Sequence, residues 1–351
     1  MIERPDHTVA AVWRGGDAIA LESIPVPALG PGDVLVRVRF ATVCGSDRHT
    51  VSGRRDQPCP SILGHETVGE IVAIGGVRAY ALDGCRLRVG QRVIWSVTLP
   101  CGACDRCLRG VSAKCRGVRK AGHEALDSDW GLSGGYARHV LLPRGLPIAV
   151  VDDELCDALA APAACATATV MAVVERAGSL AGRHVVVLGA GMLGLTAAAG
   201  AAQAGAAAVT VVDPSCARRE LARQFGATEV RSAATEAGTY DVLLEFSGSS
   251  AALQDGLAAL EIQGVAVLAG SVAPNGTIAV DPESVVRRQL SIHGVHNYEP
   301  RHLAAALDFL QLTRDRFPWA NLVAEPRPLE DIADLLCKPA GATPREAIVL
   351  G

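Results

Sequence analysis

The chain has 351 residues, 49% hydrophobic and only 4% aromatic, with a formal net charge of −4, so about two domains are expected, each with a core of Ala, Val, Leu and Ile. Both signs of charge are dispersed, without the basic block that nucleic acid requires or an acidic solvating arm. The opening MIERPDHTVAAVWRGG lacks a signal-peptide core and no charge-free run of about 18 apolar residues suggests a membrane span, so a cytoplasmic protein with neither partner is expected.

Residues 8–40 alternate as strands: TVAAVWR, AIALESIPVP and, after the turn Pro31-Gly32-Asp33, DVLVRVRF. ETVGEIVAIG and QRVIWSV extend the pattern through 62–95, a Cys-rich loop fills 101–115, and GGYARHVLLP returns to strand within 133–150. This part reads as all-β, with Cys and His in its loops. Near Asp152 the texture changes, and ELCDALAAPAACATATVMAVVERAG is Ala-rich and helical in period. From His184 strands and helices alternate through VVVLGAG, LGLTAAAGAAQAGA, AVTVVD, ARRELARQFGA, YDVLLEFSG, ALQDGLAALE and GVAVLAGS, the order of a parallel sheet built from βαβ units. From about Asn297 a helix, RHLAAALDFLQLT, and a last strand, REAIVLG, complete the chain, which shows no internal repeat.

The strand HVVVL runs into Gly189-Ala190-Gly191-Met192-Leu193-Gly194 and a helix, and the next strand ends in Asp213, 19 residues beyond Gly194. This strand–GxGxxG–helix–strand–acid order predicts a dinucleotide site. Gly189 permits the tight turn, Gly191 the approach of a pyrophosphate, and Gly194 close helix–strand packing. Met192 and Leu193 open the helix, whose free N–H groups face the phosphates. Asp213 can accept from both adenosine ribose hydroxyls and would repel a 2′-phosphate, which predicts NAD over NADP. Arg218 and Arg219 are the nearby cations that could receive such a phosphate.

Eleven cysteines without a secretion signal point to a reduced compartment. Cys101, Cys104, Cys107 and Cys115 form C-x2-C-x2-C-x7-C, close enough to enclose one Zn²⁺ with no open position, hence a structural site. The opening also matches iron–sulfur spacing, but the longer last gap and the absent Cys-Pro ending argue against a cluster. Free or paired thiols are the remaining reading. Two further clusters, Cys44-Gly45-Ser46-Asp47-Arg48-His49 and Gly64-His65-Glu66, stand apart in sequence.

Taken with Cys165 in APAACATAT, these features resemble the zinc-containing medium-chain dehydrogenases over essentially the whole chain. The resemblance implies an α/β protein. A GroES-like β domain would span 1–160 with a zinc lobe at 95–120, a Rossmann doubly wound parallel-sheet domain 161–296, and a return to the first domain 297–351. It implies two zinc ions per chain. Cys44, His65 and Cys165 would hold the catalytic one, with Glu66 beside it and replacing water as a ligand in some states. Asp47 would orient His65. Ser46 and His49 would relay the alcohol proton through a ribose hydroxyl to water. Thr169 would contact nicotinamide and Arg345 the pyrophosphate. Substrate would be a small alcohol or aldehyde bound between the domains, and the protein a homodimer or homotetramer.

Substrate class is not fixed by fold. Arg54 and Arg55 follow His49 closely, and Lys120 and His123 lie in RKAGHE. Guanidinium beside a dry zinc site favours an anionic substrate, the alternative being a solvated arginine face. CGSDRHTVSGRR and RRQLSIHGVHNYEPRHL further resemble the phosphonate-associated alcohol dehydrogenases, which implies a small hydroxyalkyl phosphonate. A polyol or amino-alcohol dehydrogenase, or a non-catalytic zinc and nucleotide binder, are the alternatives.

Overall fold

The computed structural model describes residues 4–233, 238–274, 276–338, 341 and 343–350. They fall into two compact units, one of residues 1–165, 299–311 and 319–351, the other of 166–298 and 312–318. The first crossover therefore lies five residues beyond the expected 160. The C-terminal section is not wholly a return to the first unit, since 312–318 packs with the second.

In the first unit, Val34–Thr42 is the central strand. Its sequence VLVRVRFAT buries one face continuously and turns Arg37 and Arg39 outward, the period-2 pattern of a strand with one wet face. Glu66–Ile74 pairs antiparallel on one side, placing Glu66 opposite Thr42. Ala347–Val349 pairs antiparallel on the other, placing Ala347 opposite Thr42. The full sheet has seven strands, and a second sheet of three joins Ile19–Pro25, His7–Trp13 and Ser61–Ile62. Few aromatics are available, so Val, Leu and Ile fill the core around the fully buried Trp130 and Tyr136. Register thus brings Thr42, Glu66 and the residues preceding Ala347 to one sheet end, where Cys44 follows in sequence.

The second unit is a six-stranded sheet in the order Glu229–Arg231, Ala208–Val212, His184–Leu188, Tyr240–Glu245, Leu260–Leu268, Ser291–Gly294. Every pairing in it is parallel. Strand order reverses at His184–Leu188, the switch point of a doubly wound Rossmann sheet. Helix Met192–Gln203 starts there, and its Ala197–Ala201 stretch is buried. Small residues let this helix lie close against the sheet.

The apolar helical stretch Asp157–Ala177 carries the chain from the first unit to the second. Its most apolar 18-residue window has a mean hydropathy of 1.6, enough by length and composition alone to cross a membrane, although the stretch carries Asp157, Glu175 and Arg176. Its apolar window is 61% buried within the fold, as in the core helix of a globular protein.

Glycine at 194 is dictated by space: a Cβ there would lie 1.7 Å from the Gly189 carbonyl oxygen. A Cβ at Gly200 on the same helix would meet nothing nearer than Val174 Cγ2 at 4.0 Å. Gly194→Ala is expected to cost about 1–3 kcal/mol. Gly200→Ala should contribute about 0.5–1 kcal/mol through helix propensity. Calorimetry of the two variants checks this, and shifts of the same sign would contradict the packing argument.

Candidate active site

Helix Gly45–Val51 starts just beyond the central strand, with Cys44 as its extended N-cap. Asp47 Oδ2 accepts the Cys44 N–H at 3.3 Å and the Tyr136 hydroxyl at 2.8 Å. Asp47 Oδ1 faces His65 Nδ1 at 3.3 Å, an ion-pair distance rather than a well-aligned hydrogen bond. That orients the ring with Nε2 toward Ser46, whose Oγ it bonds at 3.3 Å. Cys165 arrives on the π-helical turn Ala163–Thr167, a widened turn frequent at functional sites. The ligand atoms of Cys44, His65 and Cys165 all lie within 4.8 Å of one another. Ligands of a tetrahedral zinc at about 2.0–2.3 Å stand roughly 3.3–3.8 Å apart, inside that limit, and two thiols with one imidazole are a donor set that suits zinc. A hydrogen bond from Cys165, with the Arg345 guanidinium adding, holds the Cys44 thiol well below its ordinary value, toward the thiolate that binds metal.

Glu66, expected beside the metal as an occasional ligand, does not join this group. It is fully buried, and Arg345 Nε and Nη2 donate to its two oxygens at 2.8 and 2.9 Å. Thr42 Oγ1 adds a bond of 2.6 Å. Arg345 is a buried counter-ion to Glu66, with Nη2 also 3.8 Å from Cys44 Sγ. Burying this carboxylate without its guanidinium would be costly, which is why the pair is bidentate.

The four lobe cysteines form a second group with all ligand atoms within 4.8 Å. Cys104 Sγ stands 3.5 Å from Cys107 Sγ and 3.8 Å from Cys115 Sγ, matching the roughly 3.8 Å edge of a zinc–sulfur tetrahedron. Backbone amides of Arg116 and Cys107 pull the Cys104 thiol down to about 6, while burial and Cys104 push Cys107 up to about 12. Four sulfurs this close cannot all ionise without a cation among them. Glu299 ties the lobe down, accepting the Ser112 and Ala113 amides at 2.9 and 3.0 Å.

In the second unit the turn Gly189–Gly191 follows strand His184–Leu188, and Gly191 caps the helix that Met192 opens. Met192 is buried and Leu193 half-buried. Asp213 is buried, and its oxygens accept the Ala190 and Ser215 amides at 2.8 Å each, which anchors the glycine turn and leaves lone pairs on both oxygens. Arg219 is spent on the Asp213 and Pro214 carbonyls at 2.7 and 2.9 Å. Arg218, half-buried, donates its amide to the cap Ser215 at 3.4 Å. Thr169 is half-buried one turn beyond Cys165.

His123 lies beside the Cys–His–Cys group, and the charges of Arg55 and Lys120 bear on it. The His123 ring centroid lies 5.2 Å from that of His65. His123 Nδ1 bonds the Ala121 carbonyl at 2.7 Å. Burial, His65 and Arg55 hold this imidazole well below its ordinary value. Burial, Arg55 and Lys114 likewise lower the Lys120 ammonium. Arg54 is exposed and bears instead on His49. Gly122 makes this arrangement possible: its φ is +72°, and a Cβ would lie 2.4 Å from the Gly64 carbonyl oxygen, so the turn carrying His123 rests on the residue before His65.

Sequence reasoning passed over Tyr136 and Thr42. Both are isolated polar residues in strand-like text, and only sheet register reveals their partners. Glu299 was equally invisible.

Residues 30–152 match the alcohol dehydrogenase GroES-like domain and residues 193–311 the zinc-binding dehydrogenase family. An L-threonine 3-dehydrogenase from Chelativorans is 32% identical over 302 residues, 81% of each chain. The crystal structure of an alcohol dehydrogenase from Thermotoga maritima superposes with a TM-score of 0.90 at 24% identity, covering 98% of this chain and 100% of that one. Acetophenone reductase from Geotrichum candidum, in complex with NAD, gives a TM-score of 0.82 at 25% identity, covering 99% of this chain and 98% of its own. The fold is thus that of a GroES-like and Rossmann dehydrogenase. The chain belongs to the zinc-binding alcohol dehydrogenase family.

Metal analysis checks the two cysteine groups separately. The purified chain is expected to hold about two zinc ions, and Cys44→Ala and Cys104→Ala about one each. Full zinc content in Cys44→Ala would remove the Cys–His–Cys group as a metal site.

Proposed function

We propose that this chain transfers hydride between an alcohol or its carbonyl counterpart and NAD(H), and that the alcohol carries an anionic group. The observation that carries the proposal is the convergence of Cys44, His65 and Cys165, with Asp47 behind the imidazole. Zinc, when bound there, supplies Lewis acidity that brings the ionisation of an alcohol toward neutral pH.

The proton needs a way out. Ser46 and His49 are three residues apart on helix Gly45–Val51 and face one side of it. Ser46 lies against His65, placed to take the hydroxyl proton, and His49 hands it to solvent. Burial and the charge of Arg54, with Arg55, hold the His49 imidazole below its ordinary value, so the ring is neutral and able to accept at neutral pH. Thr169 is assigned to the nicotinamide. Asp213 supports NAD, since a carboxylate with lone pairs to spare suits two ribose hydroxyls and repels a 2′-phosphate.

Support for an anionic substrate comes from the side chains of Arg55, Lys120 and His123, which bear on one another beside His65; the side-chain charges acting on Lys120 are positive. A small hydroxyalkyl phosphonate would meet this set, as would the carboxylate of a hydroxy amino acid. The second reading is favoured by the L-threonine 3-dehydrogenase relative.

Two measurements test the proposal. In pH profiles of kcat, Arg54→Gln removes a positive neighbour, so the His49 pKa rises and the acidic limb is expected to move to higher pH. His49→Gln should abolish that limb, and profiles unchanged in both variants would take His49 out of the relay. In steady-state assays with 2-hydroxyethylphosphonate, L-threonine and 1-propanol, Arg55→Leu should lower kcat/KM for the preferred anionic alcohol at least about tenfold more than for 1-propanol. NAD is expected to outperform NADP throughout. Equal losses on anionic and neutral alcohols would sink the anionic reading, and an NADP preference the ribose assignment.

A further inference from the structure

We infer that Gln57 is a positioning residue that sets the preference for anionic alcohols by clasping the segment carrying Arg55 onto the turn carrying His123. The inference rests on the anionic-substrate reading above.

Arg55 lies between helix Gly45–Val51 and strand Ser61–Ile62, in a stretch where Ser52, Gly53 and Arg54 are exposed. On its helix side the stretch is held by the backbone, the Arg54 and Arg55 amides both donating to the His49 carbonyl at 2.8 and 3.2 Å. On its far side the hold is a side chain. Gln57 Nε2 donates to the Gly122 carbonyl at 3.0 Å and to Ser61 Oγ at 3.1 Å. Gln57 Oε1 accepts the Thr50 hydroxyl at 3.4 Å. One amide therefore joins the end of the helix, the start of the strand and the Gly122 turn, and its reach to Gly122 spans 65 residues of sequence.

The geometry explains why an amide is needed. Two acceptors and one donor surround the group, and a primary amide of this length satisfies all three. A glutamate would aim a carboxylate at the Gly122 carbonyl, and leucine would take the amide from Gly122 and Ser61 and leave Thr50 with the Ser46 carbonyl alone. The Gly122 turn is itself fixed, because it rests on Gly64 without room for a Cβ and holds the His123 ring against His65. Gln57 transmits that fixed position to the Arg55 segment. An arginine on an untethered segment must surrender backbone freedom each time it meets an anion. The clasp removes that cost beforehand, and only for a substrate that uses the guanidinium.

The test uses the zinc-loaded full chain with 2-hydroxyethylphosphonate and 1-propanol as probes. Gln57→Leu is expected to lower the phosphonate-to-propanol ratio of kcat/KM about tenfold, mainly through the phosphonate KM. In an Arg55→Leu background the same change should add little, since both act through one guanidinium. Gln57→Glu, nearly isosteric, serves if the leucine variant does not fold, with the same outcome expected. Equal losses on both alcohols, or losses that add to those of Arg55→Leu, would overturn the inference and reduce Gln57 to a structural role. If Arg55→Leu alone leaves the ratio unmoved, the anionic reading falls and takes the inference with it. If that variant moves the ratio and the Gln57 variants do not, the inference alone falls.

Discussion

Asp47 is a buried carboxylate that serves three parts of the chain at once: the Cys44 amide, the Tyr136 hydroxyl and the His65 ring. A carboxylate removed from water is stable only if its oxygens are met. Here the groups that meet it are the backbone of Cys44, the ring of His65 and the hydroxyl of Tyr136. Cys44 and His65 are thereby held at one point by a single anion. Moving any of the three partners leaves a buried charge unmatched, so the arrangement resists gradual distortion. Such support behind first ligands is what fixes imidazole orientation and basicity in metal sites generally.

A second buried carboxylate, Glu66, stands one residue from His65 and is met by Arg345 and Thr42. The two acids flank the same histidine but are neutralised differently. Asp47 faces neutral donors and the ring, whereas Glu66 faces a full positive charge. The Arg345 guanidinium that pairs with Glu66 also lies near Cys44 Sγ, where it favours the anionic thiolate. The field around the metal group is therefore set as much by residues that do not ligate as by those that do.

Much of this was legible in the sequence because the relevant physics is local. The Gly189–Gly194 turn is forced by close contacts within six residues, so its spacing survives as text. The lobe cysteines sit within fifteen residues and read equally well. Cys44, His65 and Cys165 carry no mutual spacing rule, and resemblance rather than derivation joined them. The Arg345–Glu66 pair was not legible, because the two residues lie 279 apart, a separation bridged only by sheet register. Gln57 had no signal at all, since an amide in polar text looks like any loop residue. The unit boundaries also shifted, because residues 312–318 leave a helix whose periodicity suggests one continuous address.

The short strand Ala347–Val349 closes against the centre of the first unit's main sheet, and Arg345 enters the metal surroundings just ahead of it. The whole Rossmann segment is translated before this strand exists. During synthesis the early β segments consequently wait with an exposed sheet edge and an uncompensated Glu66. The first unit therefore cannot complete its main sheet until residues 166–298 of the second have already been synthesised.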